Sequence, residues 1–188
     1  SVLTDLNKFD TKKPRVFSPH PLFDNFGAAI TKPEAYEKLG LAINEEYILF
    51  FGFIRDYKGL DLLLQAMADE RVRNLNMKLI VAGEFYTDAK PYADLIQQLN
   101  LRDKLILKTD FIPDDEVRNY FCAADMVVQP YKHATQSGVT QICYHFDRPM
   151  LVTNVGGLPE IVPHGKVGYV VEPEPKAIAD AIVDFYTN

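Results

Sequence analysis

The first regular unit of the chain reads Tyr47-Ile-Leu-Phe-Phe-Gly-Phe-Ile-Arg-Asp-Tyr-Lys-Gly-Leu-Asp-Leu-Leu-Leu-Gln-Ala-Met-Ala68. Its first five residues are an apolar run that ends at Gly52, which is typical of a buried strand. After a short polar loop, apolar residues return at positions 60, 63, 64 and 67, the spacing of a helix with one buried face. This stretch therefore predicts a strand, a loop and a helix in direct succession.

The same alternation continues to the end of the 188 residues. Further strands are predicted at 77–83, 104–108, 125–129, 150–153 and 168–171, and further helices at 89–99, 113–123, 138–146 and 176–186. Single helices that join successive strands imply right-handed crossovers and a parallel sheet covered on both faces. The predicted fold class is α/β, a Rossmann-like, doubly wound parallel sheet of about six strands with helices on both faces.

The residues before this alternating pattern are less regular. Residues 1–13 are polar and predict a linker or tail, so the domain is expected to span 14–188. A short strand is predicted at 14–17 and a proline-rich loop at 18–27. A two-turn helix is predicted at 32–40, with Thr31 as its N-cap and a glycine at its end. Because the chain begins with Ser1 and not Met, it is a candidate fragment.

Composition excludes several classes of protein. The net charge of −6 and the isoelectric point of about 5.2 do not fit a nucleic-acid-binding protein. No apolar run is long enough to span a bilayer, and no signal peptide opens the chain. Cys122 and Cys143 are expected to be buried hydrophobes, and the four histidines lack metal-ligand spacing. We therefore expect no metal and no cofactor.

In a sheet of this kind, ligands bind outside the carboxyl ends of the strands, so the loops that follow the strands are the candidate sites. The loop after the first strand, residues 52–59, carries Arg55 and Lys58, a cationic pair that suits a diphosphate. The alternative is that both side chains are simply solvated. The loop matches neither the Gly-x-x-x-x-Gly-Lys-Ser/Thr motif nor Gly-x-Gly-x-x-Gly.

The loop before the helix at 138–146 is long and polar. Its residues Thr135, Gln136, Ser137 and Gly138 are expected to expose amides and hydroxyls at a helix N-terminus, which suits phosphate or sugar oxygens. The alternative is that Ser137 serves only as an N-cap.

The loop after the strand at 150–153 contains two adjacent glycines, Gly156 and Gly157, and then a short predicted helix. Such a turn directs backbone amides outward, and Glu160 beside it can accept hydrogen bonds from hydroxyls. A tight connection without a ligand is the alternative. Two weaker candidates follow the strands at 77–83 and 104–108, where Glu84, Phe111 and Ile112 are expected near a nucleobase.

With these loops in view, the sequence resembles the carboxyl-terminal, donor-binding half of GT-B glycosyltransferases, in particular the large retaining group called glycosyltransferase family 4. The resemblance covers residues 45–187. The matching blocks are Phe51-Gly-Phe-Ile-Arg-Asp-Tyr-Lys-Gly-Leu-Asp-Leu-Leu-Leu64, Leu79-Ile-Val-Ala-Gly-Glu84, Ala124-Asp-Met-Val-Val-Gln-Pro130 and Arg148-Pro-Met-Leu-Val-Thr-Asn-Val-Gly-Gly-Leu-Pro-Glu-Ile-Val162, with Gly165 and Gly168 beyond them.

The resemblance implies a nucleotide-diphosphate sugar as the donor. Arg55 and Lys58 match the basic pair that meets the diphosphate, although the family usually places its arginine where this chain has Phe53. The segment Ser137-Gly138-Val139 matches the loop under the phosphates and the sugar. The Gly-Gly-x-x-Glu element near the donor matches Gly156, Gly157 and Glu160.

The sequence departs from the family in two further respects. Many members carry two glutamates eight positions apart, at positions that hold Ala134 and Ile142 here, or His133 and Gln141 if the register slips by one. No glutamate lies between residues 129 and 146, so a neutral partner among Thr135, Gln136 and Gln141 is expected to substitute, or the donor contacts are rearranged. The family's amino-terminal acceptor domain is also missing from this chain.

These features predict the donor-binding domain of a retaining, metal-independent glycosyltransferase, without naming a catalytic residue. Its partners would be the nucleotide-sugar donor and, through the missing domain, a saccharide or lipid-linked acceptor. The expected setting is cytoplasmic assembly of cell-surface polysaccharide, with membrane association of the full-length protein left open. The alternative is a non-catalytic domain that binds a nucleotide or sugar. A response regulator is disfavoured because no acidic pair follows the first strand.

Overall fold

A computed structural model of the chain describes residues 2–10, 12–14, 16 and 21–188. The strands of its sheet are β1 (Glu46–Phe51), β2 (Met77–Ala82), β3 (Leu105–Lys108), β4 (Met126–Gln129), β5 (Met150–Thr153) and β6 (Gly168–Val171). They form one sheet in the order β3-β2-β1-β4-β5-β6, and every neighbouring pair is parallel. The predicted parallel α/β sheet is confirmed.

Helices cover both faces of this sheet. They are α1 (Val2–Phe9), α2 (Lys32–Leu39), α3 (Leu60–Met67), α4 (Glu70–Arg73), α5 (Lys90–Gln98), α6 (Asp114–Ala123), α7 (Gly138–His145), α8 (Leu158–Ile161) and α9 (Pro175–Thr187). Side chains of α2, α6, α7 and α8 pack in one apolar cluster on one face. Side chains of α3, α4, α5 and α9 pack in a second cluster on the other face. The chain thus forms three layers, with the sheet between two layers of helices.

Each strand is buried on both sides, because successive side chains point to opposite faces of the sheet and helices cover both faces. In β1, Ile48 and Phe50 belong to one cluster and Leu49 to the other, and all three are at most 1% exposed. Since both faces are covered, the strands read as continuous apolar runs in place of an alternating pattern.

The amino-terminal region differs in detail from the prediction. Residues 2–9, predicted as a linker or tail, form the helix α1. Two residues of the predicted strand at 14–17 and the first three of the proline-rich loop lie outside the described residues. The predicted helix at 32–40 is confirmed, because Thr31 accepts a hydrogen bond from the Glu34 N–H and Gly40 ends the helix in a left-handed conformation with φ of 67°.

The strand order reverses between β1 and β4. The chain leaves β1 toward α3 on one face and leaves β4 toward α7 on the other face. Two loops that diverge in this way leave a crevice at the carboxyl edge of the sheet, and such a topological switch point is where doubly wound sheets bind ligands.

The opposite, amino edge of the sheet carries an ion-pair hub that the sequence did not reveal. Asp125, just before β4, accepts hydrogen bonds from the backbone N–H of Tyr47 at 2.8 Å and from the ammonium of Lys32. Lys32 also bonds to Glu46 at 2.8 Å, and the Tyr186 hydroxyl lies 3.4 Å from Asp125. Burial works to lower the pKa of Lys32, but the bonds to Asp125 and Glu46 outweigh it and raise that pKa.

Candidate functional site

Three loops at the carboxyl edge are joined into one structure, which we call the switch-point cleft and define as residues 52–59, 129–139 and 154–158. The first two loops touch at Gly59, where a Cβ would lie 1.9 Å from the carbonyl oxygen of Pro130. Lys132 donates its backbone N–H to the carbonyl of Tyr57 at 2.7 Å. Its ammonium pairs with Asp56 at 2.9 Å and Asp61 at 3.0 Å. These contacts fix the two loops relative to each other.

Lys58 lies inside this cleft and is only 9% exposed. A Cβ built on Gly52 would be 3.0 Å from Lys58 Nζ and 3.9 Å from Cγ2 of Val139, so the ammonium lies close to the first turn of α7. The Tyr131 ring is 5.8 Å below it. In the part of the chain that the structure describes, no carboxylate pairs with Lys58. Burial lowers the pKa of Lys58 to about 8, and the charge of Arg55 adds to that effect.

Arg55 lies nearer to the loop after β2. Its guanidinium carbon is 3.9 Å from the centre of the Tyr86 ring, a stacked cation–π contact. The Nε atom of Arg55 is buried and has no hydrogen-bond partner within the described chain. The predicted pair of Arg55 and Lys58 therefore lies at one edge of the sheet, and no acid among the described residues forms an ion pair with either cation.

The loop between β4 and α7 holds its predicted residues in two different environments. Thr135 and Gln136 are exposed, as expected. The Ser137 hydroxyl is not the exposed group that the sequence predicted: the residue is 7% exposed, accepts a hydrogen bond from the Val139 N–H at 3.2 Å, and bonds to the buried Tyr131 hydroxyl at 3.1 Å. Ser137 is thus the N-cap of α7, the alternative considered from the sequence.

The paired glycines of the third loop pack against the second loop. A Cβ on Gly156, whose φ is 54°, would lie 1.5 Å from the carbonyl oxygen of Ala134. Gly157 donates its N–H to the carbonyl of Thr135 at 3.1 Å. The tight connection is therefore structural in part, and it holds the segment before α7 against the carboxyl end of β5. Glu160 is exposed on α8.

In one register, the positions that hold the two glutamates in the resembling family fall on Ala134 and Ile142; in the other, they fall on the exposed His133 and on Gln141. Ala134 is half-buried and packs on Gly156 as described, and Ile142 is 6% exposed in the core. Gln141, on α7 beside Ile142, is half-buried. Gly138 begins α7 and is likewise half-buried. Neither Ile142 nor Gln141 carries a carboxylate.

The residues expected near a nucleobase lie at the adjoining part of the same edge. Glu84 follows β2 and is half-buried, and its carbonyl accepts the N–H of Ile54 at 2.8 Å. Phe111 and Ile112 follow β3; the Phe111 ring is 69% exposed, whereas Ile112 packs against the core. An exposed ring at this edge is available for stacking, and Ile112 is placed to support the loop.

A separate cavity of about 650 Å³ lies beside the first residues of β5 and β6, away from the switch-point cleft. Three polar groups in its lining already have partners: the Tyr144 hydroxyl donates to the Ile161 carbonyl, Tyr169 to Asp184, and His164 accepts the Val170 N–H. We therefore locate the candidate site in the cleft and not in this cavity.

Among the described residues, no three His, Cys, Asp or Glu side chains gather closely enough to hold a metal ion. None of the helices in the same ranges has both the length and the apolar character needed to cross a bilayer.

Three residues that sequence reasoning missed contribute to this edge. Tyr86 stacks on Arg55, Tyr131 lies under Lys58, and Lys132 joins the first two loops. The only sequence signal for them was their place in loops that follow strands. Their roles depend on contacts between loops distant in sequence, which local patterns do not encode.

Known proteins are similar to this chain in both sequence and fold. Residues 45–188 match the family model described as glycosyl transferases group 1. An uncharacterized glycosyltransferase of Methanocaldococcus jannaschii is 34% identical over 143 residues, which are 75% of this chain and 36% of that protein. The chain thus spans little more than a third of that relative's length.

Two solved structures show the same fold. WaaG, a glycosyltransferase involved in lipopolysaccharide biosynthesis, superposes with a TM-score of 0.82 at 19% identity, over 99% of this chain and 51% of WaaG. Anabaena HepE, solved in complex with UDP-glucose, has a TM-score of 0.71 at 21% identity, over 81% of this chain and 42% of HepE. Together with the family match, which covers more than half of the residues, these findings establish that the chain belongs to the glycosyl transferases group 1 family and forms a carboxyl-terminal domain of the GT-B type.

Proposed function

We propose that the switch-point cleft binds the diphosphate of a nucleotide-sugar donor. The observation that carries this proposal is Lys58, a lysine that is 91% buried and has no acidic partner in the described chain, next to the first turn of α7. A helix N-terminus favours anions, and a desolvated ammonium strengthens that preference. HepE, which has the same fold, was solved with UDP-glucose.

Residues of the cleft and of the adjoining part of the same edge then have definite parts in donor binding. Lys58 supplies a buried charge and Arg55 a planar set of donors for the phosphate oxygens. The exposed Thr135 and Gln136, together with the backbone at Ser137, Gly138 and Val139, face the phosphates and the sugar. Gly156 and Gly157 hold that segment in place. Glu160 accepts hydrogen bonds from sugar and ribose hydroxyls, and the Gln141 amide accepts them from or donates them to such hydroxyls. Glu84, Phe111 and Ile112 border the nucleobase.

The reaction proposed for the whole protein is sugar transfer with retention of configuration. The bond between the anomeric carbon and the diphosphate oxygen breaks while an acceptor hydroxyl oxygen forms a bond to the same carbon. Negative charge grows on the departing diphosphate, which takes up the proton of that hydroxyl. Lys58, Arg55 and the α7 N-terminus stabilise that charge without a metal ion. The acceptor proposed is a saccharide or a lipid-linked acceptor, in cytoplasmic synthesis of cell-surface polysaccharide.

The acceptor contacts, in this proposal, come from a second domain that the 188 residues do not contain. This fits the 36% of the Methanocaldococcus jannaschii relative that the chain covers. We therefore expect the chain alone to bind a nucleotide diphosphate but to transfer no sugar. Efficient transfer by these residues alone to a saccharide acceptor would contradict this part of the proposal.

One observation favours a second candidate function. Where many members of the resembling family carry a second glutamate, this chain has Ile142, which is buried in the core, or Gln141 if the register slips by one. A domain without that carboxylate can still hold hydroxyls through amides such as Gln141, but it lacks a charge that would act in the transition state. The alternative is therefore a domain that binds nucleotide or sugar without catalysing transfer.

Thermal unfolding with UDP, GDP and ADP at several concentrations tests the proposed donor binding. A ligand that binds only the folded chain at about 100 times its Kd adds about 2.7 kcal/mol of stability. We expect one diphosphate to raise the unfolding temperature, and Arg55→Ala to reduce the rise. The control Arg71→Ala removes an arginine already paired with Asp69 and Asp180 and should leave the rise unchanged. If none of the diphosphates stabilises the wild-type chain, the proposal is wrong.

A further inference from the structure

We propose that Tyr86 is a positioning residue that holds the guanidinium of Arg55 toward the bound diphosphate. This inference rests on the proposed function and assigns a role to a residue outside the motifs of the chain. Tyr86 is 65% exposed at the carboxyl edge, in the loop after β2.

The backbone brings the two side chains together. Beyond the ends of β1 and β2, Ile54 and Phe85 form a parallel bridge. The Ile54 N–H donates to the Glu84 carbonyl at 2.8 Å, and the Tyr86 N–H donates to the Ile54 carbonyl at 3.0 Å. Because side chains alternate along an extended segment, residues on either side of Ile54 point away from its buried side chain. Pairing beyond the strands thus gives Arg55 and Tyr86 a fixed register.

The rings complete this arrangement. The Arg55 guanidinium carbon lies 3.9 Å from the centre of the Tyr86 ring. On the same ring, the Phe53 ring packs edge-on, with 6.2 Å between centres and an interplanar angle of 69°. Phe53 therefore limits the orientations that the Tyr86 ring can take, and Tyr86 in turn limits those of Arg55.

Stacking is a suitable way to hold a ligand-binding arginine. A guanidinium whose flat face is covered keeps its five N–H donors free at the edge, whereas an ion pair with a carboxylate would occupy some of them. Arg55 pairs with no carboxylate among the described residues, and its Nε is buried without a hydrogen-bond partner. Its terminal Nη donors, together with the ammonium of Lys58 in the same loop, suit a diphosphate, which accepts several hydrogen bonds at once.

The alternative role for an exposed tyrosine at this edge is to stack on the nucleobase. Calorimetric titrations with inorganic pyrophosphate and with UDP separate the two roles, because pyrophosphate has no base. We expect Tyr86→Leu to weaken both ligands by a similar factor, roughly threefold to tenfold. Tyr86→Phe keeps the ring and should keep both affinities. A loss confined to UDP would overturn the proposal in favour of base stacking.

A double-mutant cycle adds a readout that a merely structural residue would not change. In the Arg55→Ala background, Tyr86→Leu should have no further effect on pyrophosphate binding, because the group it positions is gone. Independent, multiplicative losses would overturn the proposal. The unfolding temperature without ligand should change little, since Tyr86 is mostly exposed.

Failure of this inference is distinguishable from failure of the proposed function. If the wild-type chain binds pyrophosphate and UDP and Tyr86→Leu binds them equally well, only the role of Tyr86 is wrong. If the wild-type chain binds neither ligand, the diphosphate site itself is wrong, and the role of Tyr86 falls with it.

Discussion

The two edges of the sheet differ in whether their charged side chains are paired within the described chain. At the amino edge, Asp125 has three hydrogen-bond partners, and Lys32 is shared between Asp125 and Glu46. At the carboxyl edge, Lys58 is more deeply buried than any residue of that hub except Tyr47, yet no described acid pairs with it. At the amino edge, residues of the chain balance one another's charges. At the carboxyl edge, the described residues leave a positive charge that a bound anion would balance.

This difference separates residues whose charges are balanced within the chain from residues that we propose bind a ligand. Burying an ion without a partner is unfavourable, so a chain selected for stability alone would not keep Lys58 in its position. Lys132 shows that the carboxyl edge can pair a lysine when stability is needed, because it bonds to both Asp56 and Asp61. The following predictions test this separation, beginning with the largest expected effect.

Removing the acid at the amino edge should destabilise the fold most. Asp125→Ala leaves the Tyr47 N–H and the Lys32 ammonium without their shared acceptor, so we expect the free energy of unfolding to fall by about 2–3 kcal/mol. Urea denaturation measures this change. The control Asp94→Ala breaks an exposed pair with Lys90 and should change stability by less than about 0.5 kcal/mol. Equal effects of the two variants would show that the hub is not special.

Removing Lys58 at the carboxyl edge should raise the free energy of unfolding. Lys58→Met keeps the aliphatic stem and removes the buried charge, so the ligand-free chain should gain roughly 1–2 kcal/mol of stability at pH 7. Lys132→Met, at the same edge, breaks two ion pairs and should lose about 0.5–1 kcal/mol. Urea denaturation of both variants is the measurement. Destabilisation by Lys58→Met would mean that Lys58 has a structural partner.

Donor affinity should depend on pH through Lys58. Burial and then Arg55 lower the pKa of Lys58 to about 8, so the ammonium is charged below pH 8 and loses its proton above it. A phosphate, with a second pKa of about 6, is already ionised in this range. Binding above pH 8 must therefore take up a proton, and the affinity for UDP should fall roughly tenfold between pH 7.5 and 9.5. Calorimetric titration with UDP across this pH range measures the change in affinity.

The matched control for this pH dependence is Lys58→Met. Without the titrating ammonium, its residual affinity should be nearly constant over the same range. A wild-type affinity that does not change between pH 7.5 and 9.5 would contradict the assignment of Lys58 to the anion.

Removing the side-chain cap of α7 should have the smallest effect on the stability of the fold. Ser137→Ala removes the acceptor of the Val139 N–H and leaves the buried Tyr131 hydroxyl unpaired, so stability should fall by about 1 kcal/mol. Thr31→Ala, at the exposed cap of α2, should have a smaller effect. Urea denaturation compares them. If both changes are equal, the buried bond to Tyr131 adds nothing to the cap.

The sheet could be predicted from the sequence because its strands are apolar runs with clear ends. The predicted bounds of β5 and β6 match those observed, since Pro149 and Gly168 mark where these strands begin. The short helix α4 was missed because it buries only Val72 and shows no apolar period. Its start depends on Asp69, which caps it through the Arg71 N–H.

The candidate site could be predicted only as a set of loops. Parallel strands bring their carboxyl ends to one edge, so the sequence indicates which loops meet there. It does not indicate that Ser137 is buried, that Lys58 lacks an acidic partner, or that Tyr86 stacks on Arg55, because each depends on contacts between separate loops. The amino-edge hub was missed for the same reason, since Lys32 and Asp125 are 93 residues apart.

The most direct test of the account is calorimetric titration of UDP into the wild-type chain and into Lys58→Met at pH 7.5, with the unfolding temperature of each measured without ligand. The account predicts that Lys58→Met binds at least about tenfold more weakly, since a hydrogen bond to a charged group contributes roughly 1.5–3 kcal/mol, while its unfolding temperature stays the same or rises. Equal binding by the two proteins, or weaker binding accompanied by a lower unfolding temperature, would contradict it.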